Sequence, residues 1–211
     1  MMGVSAVRAR QLVRAGRLRG RQVGGRWVVD VSSIPSAPRR ARPMSPRMAW
    51  ALVEVSERGS ADGIGPRELH RLRRALERLA ADAEPELLLR SWLAARGDRR
   101  LLSAVEISAL RDDPRLVMSG LSDARSGLLA ATSVEAYVHA GDMPSVLRDH
   151  LLIDAWPRAN VVLHSAPLLP EWPVPALLVA ADLADHDGPR ELARARELIA
   201  EWAASREGVG V

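Results

Sequence analysis

Ten arginines crowd the first 43 residues of this 211-residue chain, Arg8, Arg10, Arg14, Arg17, Arg19, Arg21, Arg26, Arg39, Arg40 and Arg42, against one acid, Asp30. That segment is +9, whereas the remaining residues carry 20 arginines against 25 acids and sum to −5. So much like charge does not pack into a shared core, and the segment is expected to form a module of its own with its arginines in water. Such an asymmetry points to a polyanion partner, most often nucleic acid. All 30 basic residues are arginine, as GC-rich coding produces, so the clustering rather than the residue type carries the argument.

Composition sets the outer limits. The chain is long enough for a sizeable core, and 47% apolar residues fit a globular protein. Cysteine is absent, which removes disulfides and thiolate metal sites and fits a cytoplasmic location. No apolar run approaches the ~20 residues of a membrane span, and no signal-peptide core precedes the first helix.

Residues 4–16 read as a short helix. Ser5 is the N-cap candidate and Gly16 the stop, with Val7, Leu12 and Val13 towards a core and Arg8, Arg10 and Arg14 outward. Arg17–Val23 and Arg26–Val29 read as strands joined by Gly24-Gly25, a pair suited to the positive φ angles of a tight hairpin turn. A helix followed by a basic hairpin is the second half of a winged helix-turn-helix: the helix would enter a major groove and the hairpin would straddle phosphates.

Residues 3–34, running from "VSAVRARQLVRAGRL" to "VGGRWVVDVSSI", resemble the excisionase/MerR-type winged-helix family. The resemblance implies DNA contacts from Ser5, Arg8, Arg10, Gln11 and Arg14 on or near the recognition helix, with Gln11 able to read a base edge. Arg17, Arg19, Arg21 and Arg26 would then serve the wing. That family has a further helix before this turn, so either the start is truncated or another segment replaces that helix, and the module reads as a partial winged helix needing a dimer partner or the helices after residue 45.

A proline-rich linker, 35–45, follows; its Arg39, Arg40 and Arg42 suit a minor groove or a phosphate backbone. Residues 46–98 read as a helical segment. One helix starts at Ser45-Pro46 and ends near Gly59, and a second starts at Pro66 with Leu69, Leu72, Leu76 and Leu79 on one stripe. Its opposite face holds Arg67, Arg71, Arg73, Arg74 and Arg78. A third helix spans Pro85 to about Arg96.

Residues 99–211 read as α+β, with about four strands at Leu101–Val105, Leu116–Met118, Val134–Val138 and Val161–His164, then two helices from Pro175 and Pro189. No catalytic set emerges. His70, His139, His150, His164 and His186 lack metal-ligand spacing. Ser119-Gly120 lacks both the second glycine of a nucleophile elbow and the Gly-Lys-Ser/Thr ending of a P-loop. The loop Asp185-His186-Asp187 reads as a surface cap. Asp182, inside an apolar helix, requires a buried partner, for which Arg190, Arg125 or a helix N-terminus are the candidates. The expectation is a protein without catalytic residues, metal or cofactor.

The ordered segments "SPRMAWALVEV" (45–55), "LRDDPRLVMSGLSDARSG" (110–127), "VEAYVHAGDMPSVLRDHLL" (134–152), "NVVLHSAP" (160–167) and "VPALLVAADLADHDGPRELARARELI" (174–199) resemble the AbiEi-type antitoxin family. The resemblance implies a winged-helix DNA-binding module joined to an α+β antitoxin domain. It further implies repression of the protein's own operon at inverted repeats, possible homodimers, and a nucleotidyltransferase-like toxin as partner. The alternatives are a stand-alone excisionase/MerR-like transcription factor and a non-catalytic nucleotidyltransferase-like nucleotide-binding protein.

Overall fold

The computed structural model describes residues 7, 10, 13, 20–29, 41–128, 132–155, 159–171 and 173–207. Near the N-terminus, β1 (Gly20–Val23) and β2 (Arg26–Val29) form an antiparallel hairpin with Arg21 opposite Val28 and Gln22 opposite Trp27. Gly24 and Gly25 both have positive φ, 54° and 77°, which side-chain-bearing residues rarely adopt in succession. Val7, Arg10 and Val13 are helical. Val7, expected to face a core, is 56% exposed. Six residues separate it from Val13, a rotation of about 240° on a helix, so one face cannot hold both. Val13 takes the packed side, and a Cβ added at Gly20 of the hairpin would lie 3.1 Å from it.

The rest is a five-stranded mixed sheet with helices on both faces. The helices α1 (Pro46–Arg58), α2 (Pro66–Ala81) and α3 (Pro85–Trp92) come first. Ser45 caps α1 by accepting from the Met48 amide, and Gly59 ends it at φ 71°. On α2, Leu72, Leu76 and Leu79 are buried, leaving Arg67, Arg71, Arg74 and Arg78 as an exposed stripe. Two of that helix's acids offset part of its charge: Glu68 pairs with Arg47 of α1, and Glu77 with Arg74 at 2.9 Å.

Then follow β3 (Asp98–Ser103), α4 (Ser108–Arg111), β4 (Leu116–Met118), two 3₁₀ turns (Gly120–Ser122 and Ala124–Ser126) and β5 (Val134–His139). The chain continues through α5 (Met143–Asp149), β6 (Ile153–Asp154), β7 (Val161–Ala166), α6 (Ala176–Ala184) and α7 (Pro189–Glu207). Strand order is β4-β5-β7-β3-β6; β5 and β7 are parallel and the other pairs antiparallel.

The sheet thus has five strands where the sequence suggested four. The extra strand, β6, is two residues long and shows no alternation to read. Its neighbour β3 also begins earlier than its apolar run, because Asp98, Arg99 and Arg100 pair with Ser165, His164 and Leu163. It stops before Val105 because the Asn160 side chain donates to the Ala104 carbonyl at 2.8 Å and accepts from its amide at 2.9 Å, occupying the next ladder position.

Burial divides the sheet by face. Val134, Ala136, Val138, Val161, Leu163 and Leu102 join Met143 and Val146 of α5 in one apolar cluster. The opposite face lies under α6, whose residues Leu177–Ala184 are all buried; a helix apolar on every side is one enclosed on every side. Around α6 gather α1, α2, α3 and α7 in a second, larger core, so the helices before residue 93 and those after 175 share one interior. Among the described residues no helix is long and apolar enough to cross a membrane.

Candidate functional site

Two regions are chemically distinct from the apolar frame. One is the arginine-bearing hairpin. On it, Arg21 and its cross-strand neighbour Val28 are exposed, while Trp27 and Val29 are half-buried. Arg10, in the preceding helix, and Arg42, at the end of the linker, are also exposed. Arg26 stands opposite Val23 in the turn-proximal rung. Ser5, Arg8, Gln11, Arg14, Arg17, Arg19, Arg39 and Arg40 lie outside the described residues.

The other region is a polar network sealed between α6 and the sheet. Strand alternation builds it: in β5, Val134, Ala136 and Val138 point to the α5 side, which sends Glu135 and Tyr137 to the α6 side. Parallel register puts His164 of β7 beside Tyr137, and their rings stack with centroids 4.9 Å apart. Asp182 of α6 comes down onto this pair.

Asp182 is fully buried, and each oxygen is satisfied. Oδ1 accepts from Arg96 Nη2 at 2.6 Å, Arg96 Nε at 3.0 Å and the Tyr137 hydroxyl at 2.8 Å; Oδ2 accepts from the Ser119 hydroxyl at 2.5 Å. The partner is therefore Arg96, not Arg190, Arg125 or a helix N-terminus. Arg96 follows α3, where the Leu93 carbonyl accepts from its Nη1, and at 3% exposure it has left the surface entirely. Burial opposes its charge, yet Tyr137, Asp185 and Asp182 hold the guanidinium well above its ordinary pKa. Burial likewise pushes the Tyr137 phenol well up, so it stays a donor.

Glu135 is the second centre. Its Oε1 receives His164 Nε2 at 2.8 Å, and its Oε2 receives His186 Nε2 at 2.8 Å and the Leu121 amide at 2.9 Å. The carboxylate lies against Gly120, which turns at φ 49°; a Cβ there would sit 2.0 Å from Oε2. Burial favours the neutral acid, but the two histidines outweigh it, His186 foremost, and hold Glu135 well below the carboxylate range. Reciprocally, His186 is raised above the ordinary histidine value: burial works against its charge, and Glu135 overcomes it. Arg99, on β3 beside His164, has a buried Nε with no hydrogen-bond partner among the described residues.

The 185–187 loop is consequently no surface cap. Asp185 accepts from Arg96 at 2.7 Å, His186 reaches Glu135, and Asp187 accepts from Arg90 of α3 at 2.7 Å. A smaller cluster lies nearer the surface, where Asp113 holds Arg115 and accepts from His150 at 2.7 Å. Arg115 above all, with His150, keeps Asp113 well below its ordinary value against the cost of burial.

Sequence reading singled out Asp182 and missed its partners. The available signal was an acid, a tyrosine and a histidine at alternate positions of two otherwise apolar strands. Arg96 gave none, being one arginine among thirty. No group of three or more metal-ligating side chains is arranged to hold an ion among the described residues.

Fold and site together define an α+β protein with a polar network buried between a helix and the sheet, and a separate two-stranded hairpin. No family model, curated protein or solved structure matches the chain.

Proposed function

We propose that this chain is a double-stranded-DNA-binding transcriptional regulator whose larger, acidic part acts as the antitoxin of a toxin–antitoxin operon. The observation that carries the reading is the exposure of Arg21 on a Gly-Gly hairpin inside a segment of net charge +9. Backbone phosphates are the natural counter-charge for such a wing, and the preceding helix supplies the groove-reading element. In this reading Arg8, Arg10, Gln11 and Arg14 lie in the groove, Arg17, Arg19, Arg21 and Arg26 hold phosphates, and Arg39, Arg40 and Arg42 extend the interface. A single small module binds weakly alone, so the operator is read by paired copies at inverted repeats. Residues 46–207 then meet a nucleotidyltransferase-like toxin. The buried network is structural here, since every carboxylate in it is already engaged.

The test is binding of the intact chain to its own promoter DNA across a salt series. Arg19→Ala with Arg26→Ala should weaken binding to all sequences alike and reduce the log–log salt slope by roughly 2, about 0.9 for each phosphate no longer neutralised. Unchanged affinity and slope remove the wing from the mechanism. Removal of residues 1–43 should abolish repression while leaving protection against the co-encoded toxin; loss of both would tie the two activities to one surface.

A further inference from the structure

Loop 185–188, between α6 and α7, is where the buried network comes nearest to water. The His186 side chain is 17% exposed, while the Glu135 carboxylate it bonds is wholly buried. Besides His186, the loop has one tie to the network, Asp185 accepting from Arg96 Nη2 at 2.7 Å. Asp187 sits at φ 61°, a left-handed conformation disfavoured for a residue with a side chain, and is held from outside by Arg90. Its internal backbone bonds run back to the end of α6, from the Asp185 amide to Ala181 and from the His186 amide to Leu183. The flanking helices are fastened elsewhere: α6 is buried from Leu177 to Ala184, Arg196 of α7 pairs with Glu86 at 2.6 Å, and Trp202 of α7 donates to the Ser56 carbonyl at 3.1 Å. Opening of the loop would leave both helices in place.

We propose that His186 and Glu135 form a proton-operated latch, in which protonated His186 holds loop 185–188 shut over the buried network and loss of that proton lets the loop open locally. The groups facing His186 set its balance. Glu135 from β5 favours the charged imidazole, and Asp185 of the loop adds to this; Arg99 from β3 opposes it. Around Glu135 the competing donors are His164 from β7 and the Leu121 amide of the 3₁₀ turn. Tyr137 from β5 is taken up by Asp182 of α6, Arg96 after α3 is shared between Asp182 and Asp185 of the loop, and Arg90 of α3 is taken up by Asp187.

The sign follows from the raised state of His186. Stability from its charge is complete below the unfolded histidine value and is lost as pH rises through the folded one. Neutral His186 can still donate from Nε2, so the latch loosens rather than vanishes, and the response is that of one proton.

Amide hydrogen exchange of residues 185–188 in the intact chain, corrected for intrinsic rates, reads the opening directly from pH 6 to 9. Above the His186 transition, protection should fall by up to about tenfold per pH unit, the limit for one linked proton. His186→Gln retains a donor without a titrating charge and should show flat, intermediate protection across the range. Flat protection in the native chain, or the same slope in His186→Gln, would overturn the latch. If that variant fails to fold, NMR titration of the native His186 ring decides: an imidazolium persisting above the usual histidine range upholds the latch, and an ordinary midpoint sinks it.

Discussion

The two faces of the sheet are built from the same strands and obey different physics. On the α5 side, Val134, Ala136, Val138, Val161 and Leu163 bury hydrocarbon against hydrocarbon, without direction and with tolerance for shape-conserving change. On the α6 side, Tyr137 and Arg96 bond Asp182 and His164 bonds Glu135, at 2.6–3.0 Å, each needing one partner in one place. A face of the first kind supplies cohesion. A face of the second kind supplies a unique docking of α6 and of the turns around it, because any other seating leaves a charge buried and unpaired.

The contrast is broken most severely at Asp182. Asp182→Ala leaves the buried Arg96 guanidinium with Asp185 as its remaining carboxylate partner and should cost about 3 kcal/mol in denaturant unfolding. Arg96→Met with Asp182→Leu removes both charges and should recover most of that loss; equal destabilisation by the single and the double change would mean that the pair itself is not what matters. Next comes Leu163→Ala on the other face, expected to cost about 2–5 kcal/mol through the cavity it leaves, and to do so equally at all pH values.

Glu135→Gln should be milder near neutrality but should change the pH profile of stability, which Leu163→Ala cannot do. The lowered Glu135 contributes stability above its unfolded value that is lost as pH falls through the folded value, well into the acid range. The raised His186 contributes stability at low pH that is lost as pH rises through its folded value. The native protein should therefore weaken at both ends, and Glu135→Gln should flatten both limbs. A variant with the native profile would place the titration elsewhere. Smallest of all, Arg100→Gln breaks the pair with Asp154 at the rim of β3, a 2.7 Å bridge with Asp154 68% exposed, and should leave the unfolding midpoint unmoved.

The same contrast explains how far the sequence could be read. The helices announced themselves through local signals: Ser45-Pro46 and Gly59 bound α1, and the leucine stripe defines α2. The hairpin was legible from Gly24-Gly25. What escaped was non-local. Arg96 and Asp182 lie 86 residues apart, Glu135 and His186 51 apart, and nothing in the composition pairs them. The Asp185-His186-Asp187 loop looked polar and hence exposed, whereas its first two members complete an interior network. Strand β6 and the true start of β3 were hidden for the opposite reason, since polar residues there hydrogen-bond along an edge instead of filling a core.

The end of α1 has a consequence for the order in which the chain takes shape. The Ser56 carbonyl lies in that helix's last turn, where no backbone donor of the same helix can reach it. It accepts instead from Trp202 and Arg206, 146 and 150 residues further on, and Arg206 sets a positive charge at the negative end of the helix. On a ribosome the larger core therefore stays unfinished until α7 has been made, long after the arginine hairpin has emerged. A nascent chain stalled before residue 202 would carry a larger core still open on its α7 side, together with the arginine-rich segment.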